Sequence, residues 1–326
     1  VTYLSLGVSL ALGAFLAIDI VASLLAALVW RVARGNLDGV RAQARAGGLF
    51  LLRVFPATAA SIVVLGVLLP AFWRFEPRHT SEMVGESLAA LAIVSAGLIV
   101  AGLRRGWQAS RATRRLVRGW LAHARPVALS GIRVRAYSIA AQFPVVSLVG
   151  IVHPRLFVSE RVLRECTPEE LAAMVRHERG HLTAGDNLKR LMLRVCPNPL
   201  LPTSVGGELE QHWHEACEEA ADDYAAKASA PSGLALANAL LRVARMVSPG
   251  RSAILASLSL YDGDSVERRI RRLIGSGPRG GSRPAWLLAA RGLALVPPAL
   301  ALAVLLDPAL LHAVHHVIEA VVETLP

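Results

Sequence analysis

"TPEELAAMVRHERGHLTAGD", residues 167–186, decides how the rest of the chain is read. Thr167 is a good N-cap, Pro168 suits the first helical position and Glu170 completes a capping box, so a helix starts here. Leu171, Met174 and Val175 give that helix an apolar face for docking on a core. Residues four apart share a face, so His177 and His181 aim both imidazoles at one point with Glu178 to its side. Gly180 costs the helix about 1 kcal/mol relative to alanine, which implies that another element approaches closely there. Asp186 and Asn187 read as the end or cap of the helix, with support of a ligand as their alternative role.

Two histidines and a carboxylate in HExxH spacing suit a zinc site with Glu178 as general base, and a catalytic zinc keeps three protein ligands and one open position. The competing reading is a surface helix with two solvated histidines. The third ligand is sought downstream, in the helix read over 208–229, where "EEAADDYA" spans 218–225. Glu218 is favoured because Ala221 and Ala225 leave its face small, while Glu219 lies about 100° further round. Asp222, one turn on, is placed to orient a ligand histidine through its second ring nitrogen. Glu215, Glu219, His212 and His214 remain alternative ligands. Tyr224, His212 and His214 are the candidates for stabilising an oxyanion.

Around this core the chain is apolar. Its 326 residues are 54% hydrophobic, and the mean hydropathy of +0.46 argues for membrane spans added to one globular part. Apolar runs at 4–29, 49–73, 88–103 and 286–306 compare with the roughly 20 residues a membrane helix needs, the third being short. The first reads as a retained anchor. The net charge of +11 does not point to nucleic acid, because the arginines flank the apolar runs. Arg31, Arg34, Arg41 and Arg45 outweigh Asp38 after the first span, whereas Arg74 and Arg78 are balanced by Glu76, Glu82 and Glu86 after the second. With Arg104, Arg105, Arg111, Arg114, Arg115 and Arg118 after the third, the positive-inside rule puts the segment up to Arg283 in the cytoplasm. Cys166, Cys196 and Cys217 show neither CxxC spacing nor an even count, so no disulfide framework or cysteine zinc site is expected.

Between the third and fourth spans, "VRAYSIAAQFPVVSLVGIVHPRLFVSERVL" suggests short strands. Residues 155–162 are a candidate sheet edge for an extended substrate, with a plain core strand as the equal alternative. Further helices are read at 233–247 and in the basic "SVERRIRRLIG", leading to the last span. Asp19 inside the first span calls for a partner, Arg53 or Arg291. The tail after 306, with His312, His315, His316, Glu319 and Glu323 among apolar residues, reads as an amphipathic helix on the outer surface.

HERGH followed by Glu218 to Asp222 resembles the gluzincin peptidases. Three spans, a protease domain and a fourth span resemble the BlaR/MecR-type membrane receptor peptidases. "HPRLFVSERVLRECTPEELAAMVRHERGHL" resembles the lead-in of that family and of the HtpX/Ste-type membrane proteases, and "PNPLLP" the turn between their metal helices. The resemblance implies that His177, His181 and Glu218 bind one Zn2+ per chain, Glu178 activates the water and Asp222 supports His177. It departs from the β-lactam-sensing members: Lys189 and Lys227 are the only lysines and neither completes S-x-x-K, so sensing by that chemistry is not expected.

The fold expected is mainly α with a small β-sheet: three transmembrane helices in 1–105, a gluzincin-like zinc peptidase domain in 106–284, a fourth transmembrane helix in 285–306 and a short extracytoplasmic tail in 307–326. The function expected is that of a multi-pass zinc endopeptidase of a bacterial-type inner membrane, its site cytoplasmic, cutting a cytoplasmic or membrane-associated protein in antirepressor-like signalling. Membrane-protein quality control and a catalytically silent receptor or scaffold are the alternatives. Its partners are a protein or peptide substrate and the lipid bilayer, and a homo-oligomer is compatible with the sequence.

Overall fold

The computed structural model describes residues 3–37, 39–77, 85–141, 143–197, 199, 205–227, 230–246, 263–275 and 284–324. Asp38, Arg78, Glu82, Arg283 and most of "PNPLLP" lie outside them, so the readings placed on those residues are not described further.

The chain is mainly helical with one small sheet. Among the described residues, four helices are long and apolar enough to cross a membrane: Tyr3–Asn36, Ala42–Phe75, Glu86–Leu121 and Ala285–Leu306. The first comprises α1 (Tyr3–Ala33) and a short 3-10 turn. The second comprises α2 (Ala42–Val63), a π turn at Val64–Leu68 and α3 (Leu69–Phe75). The third, α4 (Glu86–Leu121), runs well past the apolar stretch. Its second half is arginine-rich yet built from good helix formers, so nothing stops the helix where hydropathy falls.

That extension positions the sheet. Strands β1 (Arg125–Val127), β2 (Arg135–Ile139), β3 (Val146–Val149) and β4 (Arg155–Ser159) are ordered β1-β2-β4-β3, with β2 and β4 parallel and the other pairs antiparallel. Leu156, Phe157 and Val158 of β4 are fully buried. Phe157 meets Trp120 from the end of α4, their rings 5.0 Å apart, while Leu156 and Val158 belong to the core on the other face. A strand covered on both faces reads as an unbroken apolar run. The edge reading of 155–162 is therefore corrected: β4 is internal, its last residues turn into helix α5 (Glu160–Glu165), and β3 is the edge strand beside it.

Helix α6 (Pro168–Ala184) begins with the expected capping box at Thr167 and Glu170, and Gly185 ends it in the left-handed conformation, φ 70°. Asp186 opens the next helix, α7 (Asp186–Val195), instead of capping α6. Then come α8 (Val205–Ala226), α9 (Ala230–Met246), α10 (Gly263–Ile274), the last long apolar helix α11 (Ala285–Leu306) and the tail helix α12 (Pro308–Thr324). Two cores follow. Trp30, Leu49, Leu52 and Phe55 of the first two spans pack with Leu209 and Trp213 of α8, and the sheet packs with Ala173, Met174 and Val175 of α6 and Leu236 of α9.

Helix α8 belongs to both cores and is fastened to the second span by charge. Arg45 is paired with Glu219, Arg53 with Glu210 at 3.2 Å, and Trp30 Nε1 donates to Glu208 at 3.1 Å. Of the two expected partners of Asp19, Arg53 is near enough to act on it by charge but does not bond to it. Asp19 is fully buried and its carboxylate has no hydrogen-bond partner among the described residues, Arg53 being turned to Glu210 and the Pro197 carbonyl and Arg291 exposed.

Candidate metal centre

The two histidines of α6 meet the carboxylate of Glu218 from α8. His177 Nε2 and His181 Nε2 are 3.2 Å apart, and each lies 3.5 Å from one of the Glu218 oxygens. The three residues form a group able to hold a metal ion. A tetrahedral zinc with bonds of about 2.0–2.1 Å has ligand-to-ligand edges of about 3.3–3.4 Å, close to these separations, so the donor set is compatible with such an ion.

The close crossing of α6 and α8 rests on Gly180. A Cβ there would lie 3.0 Å from Ala221 Cα and 3.3 Å from Tyr224 Cβ, so the small residues on both helices let the ligands meet. Tyr224 thus packs at the helix crossing. The other candidates on α8 are engaged elsewhere: His212 lies 5.2 Å from the Trp30 ring and pairs with Glu215, which also faces Arg268, and Glu219 is held by Arg45 and Arg272. His214 lies against Trp213, and burial pushes its pKa down to about 4, with Arg190 adding to the shift, so it is uncharged at neutral pH.

Each of the two histidines has a carboxylate at its second ring nitrogen. His177 Nδ1 is 2.9 Å from Asp222 Oδ1, and His181 Nδ1 is 2.7 Å from Asp186 Oδ2. Carboxylates at Nδ1 leave the Nε2 lone pairs facing the common point. Glu178, nearly buried, accepts a 2.8 Å hydrogen bond from the Leu148 N–H of β3, and Asn187 Nδ2 donates to the carbonyls of Leu148 and Gly150. Asp186 and Asn187 therefore tie the end of the metal helix to a ligand and to the sheet edge.

Sequence reasoning missed Arg269. It comes from α10, which was read only as a basic flank of the last span. Its guanidinium gives two bonds to Asp222, at 2.8 and 2.7 Å, and lies 2.9 Å from Glu218 Oε2. Burial opposes the charge of Glu218, but Arg269 and His177 outweigh it and hold that carboxyl well below the usual range. Asp222 is likewise raised by burial and drawn down by Arg269 and His177, to about 2. Burial disfavours a charged His177, yet Asp222 and Glu218 bring its pKa up to about 10, so the carboxylates favour a cation at this imidazole. One signal was legible: Arg269 falls between Val266, Ile270 and Leu273 on the apolar face of α10, where an arginine needs a buried partner.

Beside Glu178 a cleft opens, lined by Pro144, Val146, Met174, Leu236, Leu240, Val243 and Val266 together with His177, Glu218 and Arg269. Residues 148–204 match Peptidase family M48. The matched segment carries the end of β3, all of β4, His177, Glu178, His181 and Asp186, and ends before α8. No curated protein and no solved structure matches the chain. The match supports an M48 metallopeptidase, and with the four apolar helices it fits a membrane metalloprotease. M48 peptidases are metal-dependent, typically on zinc, and the group of His177, His181 and Glu218 is compatible with that.

Proposed function

We propose that the chain is an integral-membrane zinc endopeptidase with its site on the cytoplasmic side, cutting a cytoplasmic or membrane-associated protein in regulatory signalling. The observation that carries the reading is the meeting of two imidazoles and a carboxylate at 3.2–3.5 Å, with Glu178 beside them. His177, His181 and Glu218 would hold the ion. Zinc, when bound, supplies Lewis acidity and lowers the pKa of its water toward about 7. Glu178 takes the proton of the attacking water and returns it to the leaving amine. The Leu148 N–H fixes the Glu178 carboxylate, and Asp222 and Asp186 fix the ligand tautomers. Arg269 keeps Glu218 and Asp222 ionised.

The substrate lies beside Glu178 and presents an apolar side chain to the adjoining cleft. The arginines after the first and third spans support the cytoplasmic side. The test is cleavage of a casein or peptide substrate by the detergent-purified chain. Wild type cuts and Glu178→Gln does not while keeping its zinc; equal cleavage by both would remove Glu178 from the mechanism.

A further inference from the structure

The charge of the chain is concentrated in one stretch. Residues 87–159 hold ten arginines, no lysine and no aspartate or glutamate, and so account for +10 of the net +11. They form nearly all of α4 and the whole sheet. Arg111, Arg114, Arg115 and Arg118 are exposed on the arginine-rich half of α4, three or four residues apart, where like charges repel. On the sheet, Arg135 of β2 and Arg155 of β4 are direct partners in the parallel register, a second unfavourable placement of like charges. Each lies two residues before Tyr137 or Phe157 in its strand, and so on the face that α4 covers through Trp120. None of these six arginines pairs with an acidic side chain among the described residues. The arginines of α9 and α10, by contrast, find Glu170, Asp222 and Asp223.

Such a face attracts an anion, and bilayer headgroups reach only part of it. No proline interrupts α4, and its apolar stretch ends at Leu103. At 1.5 Å per residue, Arg114 and Arg118 lie about 16 and 22 Å further along the helix. A headgroup layer and one Debye length together extend about 14 Å from the hydrocarbon. Lipid therefore serves Arg104 and Arg105 and leaves the outer arginines without a partner. The face runs instead to the candidate metal centre. Arg155 is the register partner of Val149, which follows Leu148, the residue whose N–H holds Glu178.

We propose that this face is a docking surface for an acidic segment of the protein that the site cuts. That the partner is the substrate rests on the peptidase reading; that it is acidic rests on the charge alone. Guanidinium groups offer carboxylates paired N–H donors, and several such contacts hold a segment of chain while a neighbouring segment lies beside Glu178.

The experiment measures the fluorescence anisotropy of a labelled oligoglutamate peptide with the full detergent-purified chain carrying Glu178→Gln, which leaves the peptide intact. Adding Arg114→Gln/Arg115→Gln/Arg118→Gln is expected to weaken binding about ten-fold, the sum of three modest exposed pairs. A thermal unfolding curve checks that the variant is folded. Unchanged affinity in the folded variant overturns the proposal. So does peptide binding abolished when phosphatidylserine nanodiscs replace phosphatidylcholine ones, which assigns the face to lipid. Displacement of the peptide by a DNA duplex of equal charge at lower concentration overturns it in favour of nucleic acid. With the active chain, a casein-derived peptide extended by a run of glutamates is expected to show a lower KM than the unextended peptide at equal kcat, and the arginine variant to lose that difference. Equal KM values overturn the assignment to substrate. If neither peptide is cut, the peptidase reading fails and the anisotropy result alone decides whether the face binds acidic chains.

Discussion

Arg269 shows what one residue does for the balance of charge at the metal centre. Asp222 is buried with His177, Glu218 is half-buried beside them, and Arg269 supplies the cation that holds both carboxylates ionised. Replacing Arg269 by Met is expected to destabilise the protein by about 3–5 kcal/mol, the usual cost of leaving a buried charge unpaired. A denaturation midpoint within error of wild type would contradict this. Asp186→Asn is expected to weaken zinc binding by about 10–100-fold through the tautomer of His181, measured by chelator competition. Unchanged affinity would reduce Asp186 to a helix residue. The HExxH residues were legible because their geometry is set within two turns of one helix. Arg269 was not, since its partners lie 47 residues or more away in sequence and its neighbours Arg268, Arg271 and Arg272 resemble a membrane flank.

Among the elements, the crossing of α6 and α8 sets the ligand distances. Gly180→Val places branched carbon where Ala221 Cα already lies within 3.0 Å of a Cβ, so the helices must separate. A shift of about 1 Å at a reacting centre costs on the order of 100-fold in rate, and that loss of kcat is expected here with the chain still folded. Activity within a few-fold of wild type would show that the crossing tolerates the side chain. The capping box and the helix around it could be read from local sequence, and so could the presence of short strands. Strand order could not. "RLFVS" and "VSLV" are similar in composition, and only the parallel pairing of β2 with β4 makes the first internal and the second the edge. The length of α4 was hidden for another reason: hydropathy marks where lipid ends, while helix propensity decides where the helix ends.

For the whole molecule, the four long apolar helices follow directly from hydropathy, as the sequence suggests. The grip of the second span on α8 does not, because pairs such as Arg45 with Glu219 join segments 174 residues apart. That grip ties the second span to the helix that carries Glu218. Arg45→Met is expected to lower peptidase activity while leaving membrane insertion intact, and an unchanged rate would mean that the ion pair only anchors the domain. The orientation has its own check: reporter fusions within 106–284 are expected to report the cytoplasm, and an outside location would reverse the account of sidedness. The most direct test of the central claim is the zinc content of the detergent-purified chain, compared between wild type and two variants, His177→Ala and Glu218→Ala. The account predicts that both variants lose the same single equivalent of zinc relative to wild type. Zinc unchanged in both variants, or absent from folded wild type, would contradict it.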